Sequence, residues 1–137
     1  MDNALYRLNS DKWKPLHTFD HNDLWLGNVM LNPRYGYGTN SIYPYTIIDW
    51  VGANTKGYGI YDLIRLSLSL RISNAQLRHE LIAHSVALKC ELEDLCGHLL
   101  ASLGQLHLSI ECFPEEEYEK TFYQCWHMLS QVLPTIK

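Results

Sequence analysis

The chain has 137 residues, 47% of them hydrophobic and 19% charged, which is enough apolar material for one core without disulfide or metal staples. A formal net charge of −4 argues against a nucleic-acid or anionic-membrane surface, since either needs a basic patch. No apolar run has the length of a membrane-spanning helix, and Met1-Asp2-Asn3-Ala4 lacks the basic and apolar regions of a signal peptide, so the expectation is a cytoplasmic single domain.

In chain order, residues 1–15 mix Asn3, Asn9, Ser10 and Asp11 with apolar Leu5, Tyr6, Leu8 and Trp13, which allows at most one short helix, ended by Pro15. Leu16-His17-Thr18-Phe19 reads as a short strand leading into His21-Asn22-Asp23-Leu24-Trp25-Leu26-Gly27-Asn28. There an acid, Asp23, and an amide, Asn28, stand five residues apart, with His21 two before the acid. The form H-x-D-x-x-x-x-N suits phosphoryl transfer: the acid orients an attacking hydroxyl and accepts its proton, while the amide holds a magnesium ion. An apolar residue does neither job. Val29-Met30-Leu31 follows as a second strand, and the turn formers from Asn32 to Ser41 predict a hairpin returning through Tyr45-Thr46-Ile47-Ile48. Gly36 and Gly38 at its tip lack the helix and lysine that would follow in a phosphate cradle. The returning strand ends in Asp49-Trp50, where the same chemistry wants a second metal-binding carboxylate. Gly57-Tyr58-Gly59 is a candidate mobile segment beside it.

From Tyr61 the period changes. Leu63, Ile64, Leu66, Leu68, Leu70 and Ile72 predict a buried central helix, apolar nearly all round, with Asp62 in its first turn. Ser73-Asn74-Ala75-Gln76 has the form of a capping box, so a second helix runs from there toward Lys89. Leu92, Leu95, Leu99, Leu100 and Leu103 mark a third, from near Glu91 to Leu106. Pro114 opens the last, with Glu115, Glu116 and Glu117 in its first turn and Phe122, Trp126 and Leu129 as its apolar stripe. Cys90, Cys96, Cys112 and Cys125 form no C-x-x-C pair and read as reduced, buried thiols. His79 and His84 stand five apart, rotated by about 140° on a helix, and do not share a metal ion.

Three segments carry a family resemblance: His21-Asn22-Asp23-Leu24 through Gly27-Asn28-Val29-Met30, then Ile47-Ile48-Asp49-Trp50, then Gly59-Ile60-Tyr61-Asp62-Leu63. Together they resemble the choline/ethanolamine kinase and aminoglycoside phosphotransferase superfamily, of protein-kinase-like fold, in sequence detail over roughly residues 16–72. The resemblance implies an α+β, mainly helical fold, the C-terminal lobe of a kinase-like enzyme. Residues 1–15 would be a lead-in packed under the catalytic loop, with Leu8 and Trp13 buried. Residues 16–60 would carry the catalytic loop, the hairpin and the metal-binding loop, and residues 61–137 about four helices.

The implied activity is ATP-dependent phosphoryl transfer to a hydroxyl of a small alcohol, amino alcohol or sugar. Asp23 would be the catalytic base and His21 a brace for the loop; Asn28 and Asp49 would bind Mg2+ and, through it, ATP. Asp62 would accept hydrogen bonds from the backbone around His21, although helix capping alone also accounts for it. Trp25 would pack on a ligand, even as part of a cage for a quaternary ammonium, or anchor the loop. The departure is the nucleotide-binding N-terminal lobe, for which too little chain precedes His21. The expectation is therefore a fragment, a truncated reading frame, or a chain completed in cis or in trans. The alternative is a catalytically silent interaction module. A hydrolase is disfavoured, because no serine or cysteine sits in a nucleophile elbow.

Overall fold

A computed structural model describes residues 2–32, 43–108 and 114–133. The hairpin tip with Gly36 and Gly38, and Cys112, lie outside the described residues. Helices α1 (Asp2–Asn9), α2 (Tyr61–Leu70), α3 (Asn74–Ala87), α4 (Leu95–His107) and α5 (Glu115–Val132) dominate the chain. Four short strands, β1 (Thr18–Asp20), β2 (Val29–Leu31), β3 (Tyr45–Ile47) and β4 (Asn54–Gly57), precede the last four helices. The expected mainly helical order, strands first and helices after, is present.

β2 and β3 pair antiparallel, with Val29 opposite Ile47 and Leu31 opposite Tyr45, so both arms of the expected hairpin form. β1 pairs with β4, a strand that its sequence, Asn-Thr-Lys-Gly, does not announce; Thr18 faces Gly57 and Asp20 faces Asn54 across an irregularity. The arrangement has a positional consequence. The loop from His21 to Asn28 joins β1 to β2, and the loop around Asp49 joins β3 to β4, so pairing the strands brings the two loops together.

α1 stops at Asn9, earlier than Pro15 would require, because Asp11 takes a left-handed conformation (φ 54°) and Lys12 N–H reaches back to the Arg7 carbonyl at 3.1 Å. The lead-in anchors on the helical half. Trp13 is buried edge-on against His98, ring centroids 5.0 Å apart, and a Cβ on Gly97 would meet its ring at 2.7 Å. Arg7 reinforces the contact with a two-pronged bond to the fully buried Asp94, at 2.6 and 2.9 Å, while Glu91 N–H takes the same carboxylate at 3.0 Å.

Ser73 caps α3 as its spacing predicts: its Oγ accepts from Gln76 N–H at 3.3 Å and its own N–H donates to Gln76 Oε1 at 3.0 Å. α5 packs against α2, α3 and α4. Ile60, Ile64, Leu77, Leu81, Leu99 and Leu129 are completely buried in that junction, each contributing about 1.5–3 kcal/mol of transfer free energy. The stripe of α5 is centred on Cys125, Leu129 and Val132, with Phe122 and Trp126 as its partly buried flanks. α2 departs from the expectation. Only Tyr61, Ile64 and Ser67 are buried, and Leu70 is exposed, because one face of this helix is given to holding a loop. Among the described residues no helix is long and apolar enough to cross a membrane.

His98 lies fully buried in α4 between Trp13 and Tyr58, and neither ring nitrogen has a hydrogen-bond partner among the described residues. Burial pushes its pKa down from 6.5 to about 4, with Asp94 only partly opposing. The unfolded chain therefore binds the extra proton first as pH falls, and stability is lost between about pH 6.5 and pH 4, by roughly 3 kcal/mol in total from this ring. Thermal melts should show this. The drop in Tm across that interval should be smaller for His98→Leu than for the wild type, and an equal drop would clear His98 of the effect.

Candidate active site

The loop from His21 to Asn28 is held by backbone-directed bonds from three sides. His21 is buried, its N–H donates to Asp62 Oδ2 at 2.6 Å, and Asn22 N–H reaches the same oxygen at 3.3 Å. Asp62 thus does what the resemblance implied for it, while no side-chain cap is made at the start of α2. Asn22 itself is left-handed (φ 65°), a conformation that asparagine tolerates better than most residues, and its Nδ2 donates to the Gly52 carbonyl at 2.9 Å. On the far side, Ser69 Oγ accepts from Leu26 N–H at 3.0 Å.

Asp62, Arg65 and Ser69 recur at i, i+3 and i+7, so one face of α2 carries a polar stripe turned to the loop. The carboxylate meets His21 and Asn22, the guanidinium Asp23 and the hydroxyl Leu26. Arg65 Nη2 stands 3.7 Å from Asp23 Oδ1. This stripe is why α2 is not buried all round.

Asp23 and Asn28 meet directly. Asn28 Nδ2 donates to the Asp23 carbonyl at 2.8 Å and to Asp23 Oδ2 at 3.2 Å, and Asn28 is buried whereas the Asp23 side chain is 54% exposed. Spending its amide hydrogens this way leaves the Asn28 side-chain carbonyl oxygen without a hydrogen bond among the described residues. Ile48 ties the second loop to the first: its N–H donates to the Asn28 carbonyl at 3.0 Å, and its carbonyl accepts from His21 Nε2 at 2.9 Å. The carbonyl requires that Nε2 of His21 carry a hydrogen, and leaves a buried Nδ1 with no partner among the described residues. His21 is a brace by this geometry, pressed on the Trp50 ring at 4.5 Å.

Asp49 follows Ile48 immediately, in a left-handed conformation (φ 61°), exposed, with no hydrogen bond or ion pair among the described residues. A carboxylate and an amide oxygen, the side-chain oxygens of Asp49 and Asn28, are of the hard-oxygen type that Mg2+ accepts, since it takes one or two protein carboxylates and fills its remaining positions from phosphate and water. The donor chemistry fits. Among the described residues no three His, Cys, Asp or Glu side chains gather as a self-sufficient metal cage.

Two groups escaped the sequence reading. Asp20 is buried at the end of β1, accepting from Thr18 Oγ1 at 2.8 Å and from Tyr58 N–H, with burial raising its pKa. A Cβ on Gly57 would overlap its carboxylate, which explains a glycine there. With Ser102 Oγ donating to the Tyr58 carbonyl at 2.6 Å, the 57–59 segment expected to be mobile is tethered on both sides of Tyr58. Arg65 is the other, and its only sequence signal is its i+3 spacing from Asp62.

Two clefts flank the loop. One, of about 370 Å³, lies beside Phe19, His21, Trp50 and Asp62. The other, of about 480 Å³, opens between Trp25, Arg65 and the α5 side chains Gln124 and His127. No protein-family model matches the chain, and no curated protein or solved structure matches it either.

Removing each carboxylate separates bracing from chemistry. Asp62→Ala orphans two backbone donors, at about 1–3 kcal/mol each. Asp23→Ala leaves Asn28 bonded to the residue-23 carbonyl, so its cost should stay within about 0.5 kcal/mol. Urea unfolding of the two variants tests the ranking, and a reversed order would remove Asp62 from its bracing role.

Proposed function

We propose that the chain is the C-terminal lobe of a small-molecule kinase of the protein-kinase-like superfamily, transferring the γ-phosphoryl group of ATP to a hydroxyl. The observation that carries this is the Asp23–Asn28 contact inside a loop pinned by Asp62 and clamped through Ile48 to the segment bearing Asp49. A polar turn needs none of these long-range bonds.

Asp23 orients the acceptor hydroxyl and takes its proton; Asn28 fixes one carboxylate oxygen and Arg65 stands by the other, so the base is aligned before substrate arrives. Asn28 and Asp49 would hold Mg2+, which would supply positive charge to offset the negative charge developing on the transferred phosphoryl group. His21 contributes position alone: its ring ties the catalytic loop to the Ile48 carbonyl. The lysine that pairs the nucleotide phosphates belongs, on this reading, to a second lobe in cis or in trans, and a cytoplasmic setting supplies the ATP.

The test is transfer of labelled γ-phosphate from Mg·ATP to a panel of hydroxyl compounds. The chain by itself should turn over slowly, and Asp23→Asn should reduce the rate by about a hundredfold or more while leaving Tm unchanged. No transfer to any acceptor, or transfer indifferent to Asp23→Asn, contradicts the reading.

A further inference from the structure

The cleft between Trp25, α2 and α5 has a composition that discriminates among acceptors. Its described lining contains one permanent cation, Arg65, together with the amides of Asn74, Gln124 and Gln131, and no carboxylate. Arg65 is only 24% exposed, and its Nε is buried without a hydrogen-bond partner among the described residues. Among the described residues its one ion pair, with Asp23, is stretched to 3.7 Å. A guanidinium has five donors in a planar fork, so most of its bonding capacity is unspent. His127 does not compete for an anion through Nε2, which already accepts from the Gln131 amide at 2.9 Å.

We infer that this cleft is the acceptor site and that it selects a hydroxy acid, with the carboxylate on Arg65, over a cationic amino alcohol. The inference rests on the kinase reading for the word acceptor and on the cleft alone for the selectivity. A quaternary or primary ammonium entering here would face Arg65, and the Asp23 carboxylate beyond the cleft wall is already engaged by Arg65 and Asn28. A carboxylate would take the free edge of the guanidinium in a charge-assisted pair. One cation suits one carboxylate; a phosphate dianion would bring surplus negative charge beside Asp23.

Geometry narrows the class further. Because Arg65 stands 3.7 Å from Asp23, a carboxylate held by the first puts a hydroxyl one or two carbons away within reach of the second. The hydroxyl proton passes to Asp23, its oxygen bonds to the γ-phosphorus, and the bond from that phosphorus to the bridging oxygen breaks, releasing ADP. At about 480 Å³ the cleft has room beyond a three-carbon acid, and Gln124, exposed and without a hydrogen bond among the described residues, with Asn74 offers amides to further hydroxyls. A hydroxy acid with its carboxylate on Arg65 fits that lining, whose apolar part is supplied by Trp25, Leu68 and Met128. Trp25, whose ring lies over Gly27 so that a Cβ there would overlap it, supplies a flat wall.

Binding to the 137-residue chain, followed by NMR of the Trp25 indole without nucleotide, tests this with three probes: gluconate, its neutral alditol, and choline. Gluconate should bind about tenfold or more tighter than the alditol, a charge-assisted bond being worth that much, and choline should leave the indole unmoved. Arg65→Gln should bring gluconate down to the alditol. Equal binding of acid and alditol by the wild type, or a preference for choline, overturns the inference whether or not Arg65→Gln folds; so does a folded Arg65→Gln that still prefers gluconate. Gluconate binding without any phosphoryl transfer would count against the kinase reading and leave the cleft's selectivity standing.

Discussion

A single carboxylate oxygen, Oδ2 of Asp62, holds two consecutive backbone N–H groups of a loop forty residues away in sequence, and the rest of the site depends on that hold. Those two donors belong to His21 and Asn22, the residues on which the chain turns out of β1 and through a left-handed conformation. Without an acceptor the turn would bury unpaired donors, so the loop's shape and the first turn of α2 are one unit. The helix is in turn fixed by Ile64 and Tyr61 in the main core, which carries the stability of the helical half to the loop.

From that anchor the remaining contacts follow in order. His21, once placed, reaches the Ile48 carbonyl; Ile48 N–H reaches Asn28; Asn28 returns to Asp23. The circuit joins three segments of chain by bonds that each end on backbone, which constrains position more tightly than contacts between long side chains. Asp23 keeps a half-exposed carboxylate at the open side of the circuit, and Asp49 is exposed on the other loop.

Much of this was legible in the sequence where a local rule applied. The capping box at Ser73, the leucine spacing of α4 and the two arms of the hairpin each follow from residues that are neighbours in sequence or on one face. Asp62 was legible only through resemblance, since its first-turn position is equally good for a helix dipole. What could not be read were partnerships made at long range. β4 has a sequence that suits a loop and becomes a strand because β1 lies beside it. The stripe of Asp62, Arg65 and Ser69 was masked by the abundant leucines between, so α2 read as buried on every side although one face grips the loop. Asp20 and Gly57 make sense only as a pair, and nothing in either position announces the other.

The central claim is that Asn28 and Asp49, on separate loops, serve one metal ion in front of Asp23. Titrating the labelled chain with Mn2+ in the presence of ATP, and following paramagnetic broadening residue by residue, tests it most directly. The account predicts that the Asn28 side-chain amide and the Asp49 backbone amide broaden first and together. Broadening confined to the exposed carboxylates Glu115, Glu116 and Glu117 at the start of α5, with Asn28 and Asp49 still sharp, would contradict it.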